Sequence, residues 1–131
     1  MLKIKDLQAG YGRLKILRGI NLNVSQGKIV TLLGGNGTGK STLLKTISGL
    51  LPVMGGSIEF DEKIITNVKP HHIVRSGLVQ VTQAKEAYPA MTVEENLMLG
   101  AFSRSDKSEI SHDLEKVYSF FPILRDRRKK L

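Results

Sequence analysis

The chain has no cysteine and no tryptophan, and only three tyrosines and four phenylalanines in 131 residues. Without cysteine there is no disulfide, no thiolate metal ligand and no cysteine nucleophile, a composition in keeping with the cytosol. No apolar run approaches the ~18 residues that cross a bilayer. The N-terminal MLKIKDLQAG carries charges at Lys3, Lys5 and Asp6, where a signal peptide needs an unbroken apolar stretch. Any membrane role therefore comes through a partner. Acid is also scarce, with 12 Asp and Glu against 20 Lys and Arg, a net charge of +8. Such a balance invites nucleic acid. However, the last seven residues, RDRRKKL, hold five bases and one acid and so supply +4 of the +8. The remaining charge is scattered, without a basic stripe carrying interleaved aromatics. The excess reads as a solvated charged end, and no nucleic-acid partner is expected.

What is present suits one globular domain. Apolar residues make up 40% and charged residues 24%, ordinary globular values. LKIKDL (2–7) alternates apolar and polar residues, as does ILRGINLNV (16–24), which predicts two strands with a turn over 8–13 between them. SQGK (25–28) predicts a tight turn, so these segments form an antiparallel meander. KIVTLLG (28–34) is a nearly continuous apolar run, the pattern of a strand buried on both faces of a parallel sheet. Leu43, Leu44, Ile47 and Leu50 then recur at helical spacing, and Gly49 and Pro52 end that helix. VMGG (53–56) predicts a turn, SIEF (57–60) a strand, 70–76 a short helix stopped by Gly77, and LVQVT (78–82) another strand. Thr92 and Glu95 have capping-box spacing. Ile110, Leu114, Val117 and Phe121 share one face of a helix over 106–121 that Pro122 closes.

Between the apolar run and the first helix lies Gly34-Gly35-Asn36-Gly37-Thr38-Gly39-Lys40-Ser41, which fits G-x-x-x-x-G-K-[ST], the P-loop. Glycines let the backbone approach a ligand closely. Successive N–H groups then make a nest for oxygen anions, and the helix starting near Gly39 adds its positive end. Lys40 can reach β- and γ-phosphates as a point charge. The Ser41 hydroxyl suits Mg2+, a hard ion that prefers oxygen, and Thr42 lies close enough to help hold a phosphate. A chance glycine turn is the bland reading. The pattern alone arises in roughly one chain of this length in a few hundred, and here a strand pattern precedes it and a helix pattern follows, as the motif requires.

The order of landmarks resembles the ATP-binding subunit of an ABC (ATP-binding cassette) transporter over essentially the whole chain. The resemblance implies that Tyr11, in GYG between the first two strands, stacks on adenine, a contact of roughly 1–3 kcal/mol. LVQVTQ (78–83) is similar to the strand leading into the family's Q-loop. Gln83 then matches the glutamine that approaches Mg2+ and the attacking water and connects to the membrane subunit; Gln80 is the competing candidate. MTVEENL (91–97) is similar to the segment that opens the family's helical subdomain. The opening AGYGRLKILRGINLNVSQGKIVTLLGGNGTGKSTLL, MTVEENLMLGAF and VYSFFPILRDRR look nearest to the ATPases of branched-chain amino-acid importers. That subfamily often has an acidic residue where this chain has Gln83.

The implied fold is α/β: a P-loop NTPase core of the ABC ATPase type with an N-terminal antiparallel β subdomain and P-loop core over 1–83, then the Q-loop and the start of a helical subdomain over 84–131. The implied cofactors are ATP and Mg2+. The implied partners are membrane-spanning subunits, a second ATP-binding subunit and, indirectly, a solute-binding protein. The implied location is peripheral, on the cytoplasmic face of the cell membrane. No LSGGQ-like signature, no apolar run ending in two acids after Gln83 and no switch histidine occur in the sequence. The chain is therefore expected to be an N-terminal part of such a subunit, without a catalytic residue of its own, able to bind nucleotide but to hydrolyse little, and poorly soluble alone. His112 sits mid-helix, and His71 and His72 are adjacent, which reads as solvated surface rather than a catalytic or zinc site. A nucleotide-regulated protein of the same superfamily acting on DNA or ribosomes is the alternative. A small-molecule kinase would want a lid and acceptor pocket after the P-loop, and none is evident.

Overall fold

The computed structural model describes residues 1–83 and 87–131. Two compact units divide it, Met1–Val81 and Thr82–Leu131.

The first unit is built on an antiparallel sheet of order β2-β1-β3-β4, with β1 at Leu2–Tyr11, β2 at Leu14–Val24, β3 at Val53–Phe60 and β4 at Lys63–Ile64. The apolar residues of β1 change parity along the strand, from Leu2 and Ile4 to Leu7 and Ala9. With a side-chain period of two, both pairs can face the core only if one extra residue intervenes. The register shifts between Ile4 and Leu7. The bulged Asp6 has φ 44°, and its N–H donates to Asn21 Oδ1 at 3.0 Å. Ile4, Leu7 and Ala9 are all buried. Opposite the bulge lies Gly56, with φ 81°, where a Cβ would stand 2.3 Å from the Lys5 carbonyl oxygen and 2.4 Å from that of Asp6.

This geometry corrects two predicted turns. Residues 8–11 stay in β1, which narrows the hairpin turn to residues 12–13, and VMGG is the first half of β3. Gly56 marks close approach to the β1 backbone rather than a reversal, and Gly55 lies against the Gln8 side chain. The turn at 25–28 forms as expected, closed by Lys28 N–H to Ser25 O at 3.2 Å.

The larger correction concerns KIVTLLG and LVQVT. Neither forms a strand, and Ile29, Leu33 and Val81 are 96%, 91% and 94% exposed. A central parallel strand is stabilised by neighbours on both edges and cover on both faces. Among the described residues no strand pairs with either run. Pattern alone records the preference of these residues for such a place.

α1 spans Lys40–Ile47 and buries Thr42, Leu43, Thr46 and Ile47. Leu43 and Ile47 join Ile4, Leu7, Ala9, Leu17, Ile58, Ile65 and Ile73 in one core. α2, Pro70–Arg75, starts at a proline and buries Ile73.

The second unit holds α3 (Val93–Leu99), α4 (Lys107–Phe120) and α5 (Pro122–Asp126). The capping box forms as its spacing predicts: Glu95 N–H donates to Thr92 Oγ1 at 3.3 Å and Thr92 N–H to Glu95 Oε2 at 2.7 Å. α3 buries none of its residues. Its two other leading N–H groups, of Val93 and Glu94, donate to Lys130 O at 2.9 Å and Arg128 O at 3.0 Å. The basic end is thus solvated in its side chains but docked through its backbone. Tyr118 is buried, with its hydroxyl donating to Glu94 at 3.4 Å and the Arg125 guanidinium 5.5 Å from its ring centre.

Gly56→Ala adds a backbone collision to the strain of positive φ, and we expect it to lower unfolding free energy by at least ~1–3 kcal/mol. Gly27→Ala, with φ 70° but nothing within 4 Å of a Cβ, should lose only ~1 kcal/mol. Urea titration of the two variants reads the difference.

Candidate functional site

The P-loop residues form a turn that runs into α1. Its anchorage comes from the helix side. Gly39, the residue before α1, has φ 95° and ψ 3°, and a Cβ there would lie 3.0 Å from Leu17 Cδ2 and 3.4 Å from Ile16 Cγ2 of β2. The absent side chain lets the start of the helix press onto the hairpin. Leu17 and Ile16 are the residues that sequence reasoning missed; their contact with Gly39 is long-range and leaves no local signal.

Within the loop, Thr38 Oγ1 donates to Gly35 O at 2.9 Å. Lys40 Nζ donates to Gly34 O and Gly35 O, each at 2.6 Å. The loop therefore curls over its own lysine, and Gly34, Gly35, Thr38 and Lys40 are brought together. Leu43 N–H donates to Gly39 O at 2.8 Å. Apart from the turn over Asn36–Gly37, in which the Thr38 N–H faces Gly35 O, no N–H from residues 34–42 donates to a protein acceptor among the described residues. Asn36, Gly37 and Ser41 are exposed, and Thr42 is buried beneath them on α1.

Such a run of uncommitted donors at a helix start, with one ammonium inside, can hold a multiply charged oxyanion. The Ser41 hydroxyl has no hydrogen bond among the described residues and so fits a hard cation. There is no group of three or more acidic, cysteine or histidine residues to cage a metal among the described residues. Mg2+ normally keeps waters and substrate phosphates rather than an all-protein cage, so the donor set suits Mg2+ arriving with a nucleotide.

Tyr11 is 48% exposed and pairs with Leu14 at the hairpin tip, two register positions beyond the Ala9–Leu17 pair whose Leu17 touches Gly39. Gln83 is exposed in the second unit, and the residues after it, 84–86, lie outside the described residues. Gln80 is occupied, its Oε1 accepting from Ser48 Oγ at the end of α1 at 2.6 Å. His71, His72 and His112 are exposed.

A family profile described as "ABC transporter" matches residues 17–131. The chain is 35% identical over 127 residues to the high-affinity branched-chain amino acid transport ATP-binding protein BraG of Pseudomonas aeruginosa, covering 97% of this chain and 54% of that one. It is 35% identical over 130 residues to the probable branched-chain amino acid transport ATP-binding protein LivF of Archaeoglobus fulgidus, covering 99% and 55%. The alpha-glucoside transport ATP-binding protein AglK of Rhizobium meliloti is 36% identical over 110 residues, covering 83% and 30%. Among solved structures, an ATP-binding subunit of an ABC transporter superposes with TM-score 0.82 at 30% identity, covering 98% of this chain and 52% of that one. A bacterial ABC transporter cassette solved as a dimer gives TM-score 0.71 at 25% identity, covering 88% and 55%. The chain spans about half the length of the curated branched-chain relatives it matches.

The contact at Gly39 predicts coupling. Gly39→Ala should cost ~1–3 kcal/mol and Leu17→Ala ~2–5 kcal/mol. Because the second substitution removes the collision, the double variant should lose less than the sum of the two, measured by denaturant titration of all four proteins.

Proposed function

The chain belongs to the ABC transporter ATPase family, and from that premise we propose that it is the nucleotide-binding part of a subunit that powers solute import across a membrane. The observation that carries this reading is the run of N–H groups over 34–42, uncommitted apart from that of Thr38, curled around Lys40. In this reading residues 34–39 cradle the phosphates of ATP through Gly34, Gly35, Asn36, Gly37, Thr38 and Gly39. Lys40 exchanges its bonds to the loop carbonyls for the β- and γ-phosphates, Ser41 ligates Mg2+, Thr42 supports a phosphate, and Tyr11 stacks on the base. The exposed Gln83 takes the Mg2+-directed role, which the engagement of Gln80 by Ser48 supports. In this reading the domain division is an N-terminal β subdomain with P-loop core over 1–83, then the Q-loop and the start of a helical subdomain over 84–131.

The solute is a branched-chain or related amino acid in this reading, supported by the branched-chain relatives, 35% identical over 97% and 99% of the chain. Lactose and sn-glycerol-3-phosphate transport relatives span 98% and 96% of it at 33% and 30% identity. These transport relatives do not favour the alternative of a nucleotide-regulated protein acting on DNA or ribosomes.

The partners proposed are membrane-spanning subunits, a second ATP-binding subunit and an indirect solute-binding protein, with the chain peripheral at the cytoplasmic face. No helix of the described residues is long and apolar enough to cross a membrane. An apolar surface at α3 supports a contact with the membrane subunits over 92–102: Met98 is 42%, Leu99 40% and Phe102 88% exposed. In this reading no acid among residues 84–131 is assigned as a base for water. ATP turnover by the chain alone is expected to be near background.

Lys40→Ala should weaken ATP binding by ~1.5–3 kcal/mol, the value of a charged hydrogen bond. Tyr11→Ala should weaken ATP by ~1–3 kcal/mol while leaving inorganic triphosphate binding unchanged. Calorimetric titration of both variants checks this, and undiminished ATP affinity in Lys40→Ala would sink the reading.

A further inference from the structure

We propose that Asn36–Gly37, at the tip of the P-loop, is a site of spontaneous deamidation, and that the reaction switches the loop from anion-binding to anion-repelling. Five asparagines occur in the chain, at 21, 23, 36, 67 and 96, and only Asn36 precedes glycine. Three of the others are held by their amide groups: Asn21 on Asp6, Asn67 on Val53, and Asn96 on Tyr88, Met91 and Thr92. Asn23 lies within β2 and is followed by the β-branched Val24. Asn36 is exposed and its side chain has no hydrogen bond among the described residues.

The attacking group is as free as the group attacked. Gly37 N–H donates to no acceptor among the described residues, and a Cβ built on Gly37 would meet nothing within 4 Å. The Thr38 Oγ1 bond to Gly35 O at 2.9 Å fastens the loop on either side of the pair without touching it.

The chemistry balances with water as the only co-reactant. Gly37 N loses its proton and bonds to Asn36 Cγ. The Cγ–Nδ2 bond breaks, and the nitrogen leaves as ammonia with that proton. Water then opens the cyclic imide at either carbonyl. Opening at Cγ leaves aspartate. Opening at the main-chain carbonyl leaves isoaspartate, with the backbone routed through the side chain and lengthened by one methylene. No atom changes oxidation state. Both products place a carboxylate among donors suited to phosphate, and isoaspartate also changes the spacing of the N–H groups on either side.

The modification itself depends only on the loop; its effect on nucleotide, and protection by nucleotide, rest on the proposed function. The test ages the full chain in mildly alkaline buffer, with and without MgATP, then maps peptides by mass and by isoaspartate-specific methylation. Conversion at Asn36 is expected to run about tenfold or more faster than at any of the other four asparagines, to accelerate with pH, and to disappear in Asn36→Gln, whose longer side chain disfavours the same ring. Conversion no faster than at the other asparagines overturns the proposal, whether or not the chain binds ATP. Fresh chain that fails to bind ATP overturns the proposed function but leaves the mass measurement intact. Where fresh chain does bind, MgATP should slow conversion, and aged chain should lose ATP affinity about tenfold or more from like-charge repulsion. Aged chain that binds ATP as fresh chain does overturns the switch.

Discussion

The site depends on one close approach, that of Gly39 to Leu17 and Ile16. Leu17 is buried in the same core as Leu43 and Ile47, so the hairpin and α1 are two sides of one packed volume. The loop has no strand behind it, since 28–34 pairs with nothing among the described residues. Its course is therefore set from the helix end. Gly39 fixes where α1 begins, and the bonds of Thr38 and Lys40 to the Gly34 and Gly35 carbonyls fix how the chain folds back over it. A side chain at 39 would push the helix from the hairpin and move every N–H proposed to face phosphate. In this chain the glycine at this position of the motif thus answers a packing demand as well, made by residues more than twenty positions upstream.

The same distinction between local and distant causes explains how legible the molecule was. The P-loop, the Thr92–Glu95 box, the proline start of α2 and the helix ended by Pro122 all follow from interactions within a few residues, and all lie where the sequence puts them. The antiparallel pairing of β1 and β2 also follows, because a hairpin makes its partner adjacent. The predicted turn at VMGG failed for a non-local reason: Gly56 answers the bulge at Asp6, fifty residues away. The bulge had a signature in the sequence all the same, the parity change from Ile4 to Leu7. KIVTLLG and LVQVT failed in the opposite way. Their composition records burial, but strand formation needs a partner, and no residue within either run can supply one.

Lys40 shows how the site can be stable and still receptive. Its ammonium is satisfied by two carbonyl oxygens at 2.6 Å, so the loop holds a shape without ligand. Those acceptors are neutral, whereas a phosphate oxygen is charged and adds a full Coulomb attraction to the ammonium. In the proposed function, exchange runs toward phosphate while the loop retains a curl imposed by Thr38 and Gly39. Pre-organisation of this kind reduces the ordering cost of binding.

The receptive state also carries its own chemical exposure, because an asparagine stands at position 36. A nest works because consecutive N–H groups stay free of the protein's own carbonyls. A backbone nitrogen left free of partners, next to an asparagine amide and without a side chain to shield it, is also the group that closes an imide. In the proposed function a phosphate oxygen would occupy the Gly37 N–H and hold that nitrogen away from Asn36 Cγ. Binding and deamidation then compete for one atom. Each hour without nucleotide favours the covalent outcome, and each bound nucleotide suspends it, so the occupancy history of the loop becomes written into residue 36.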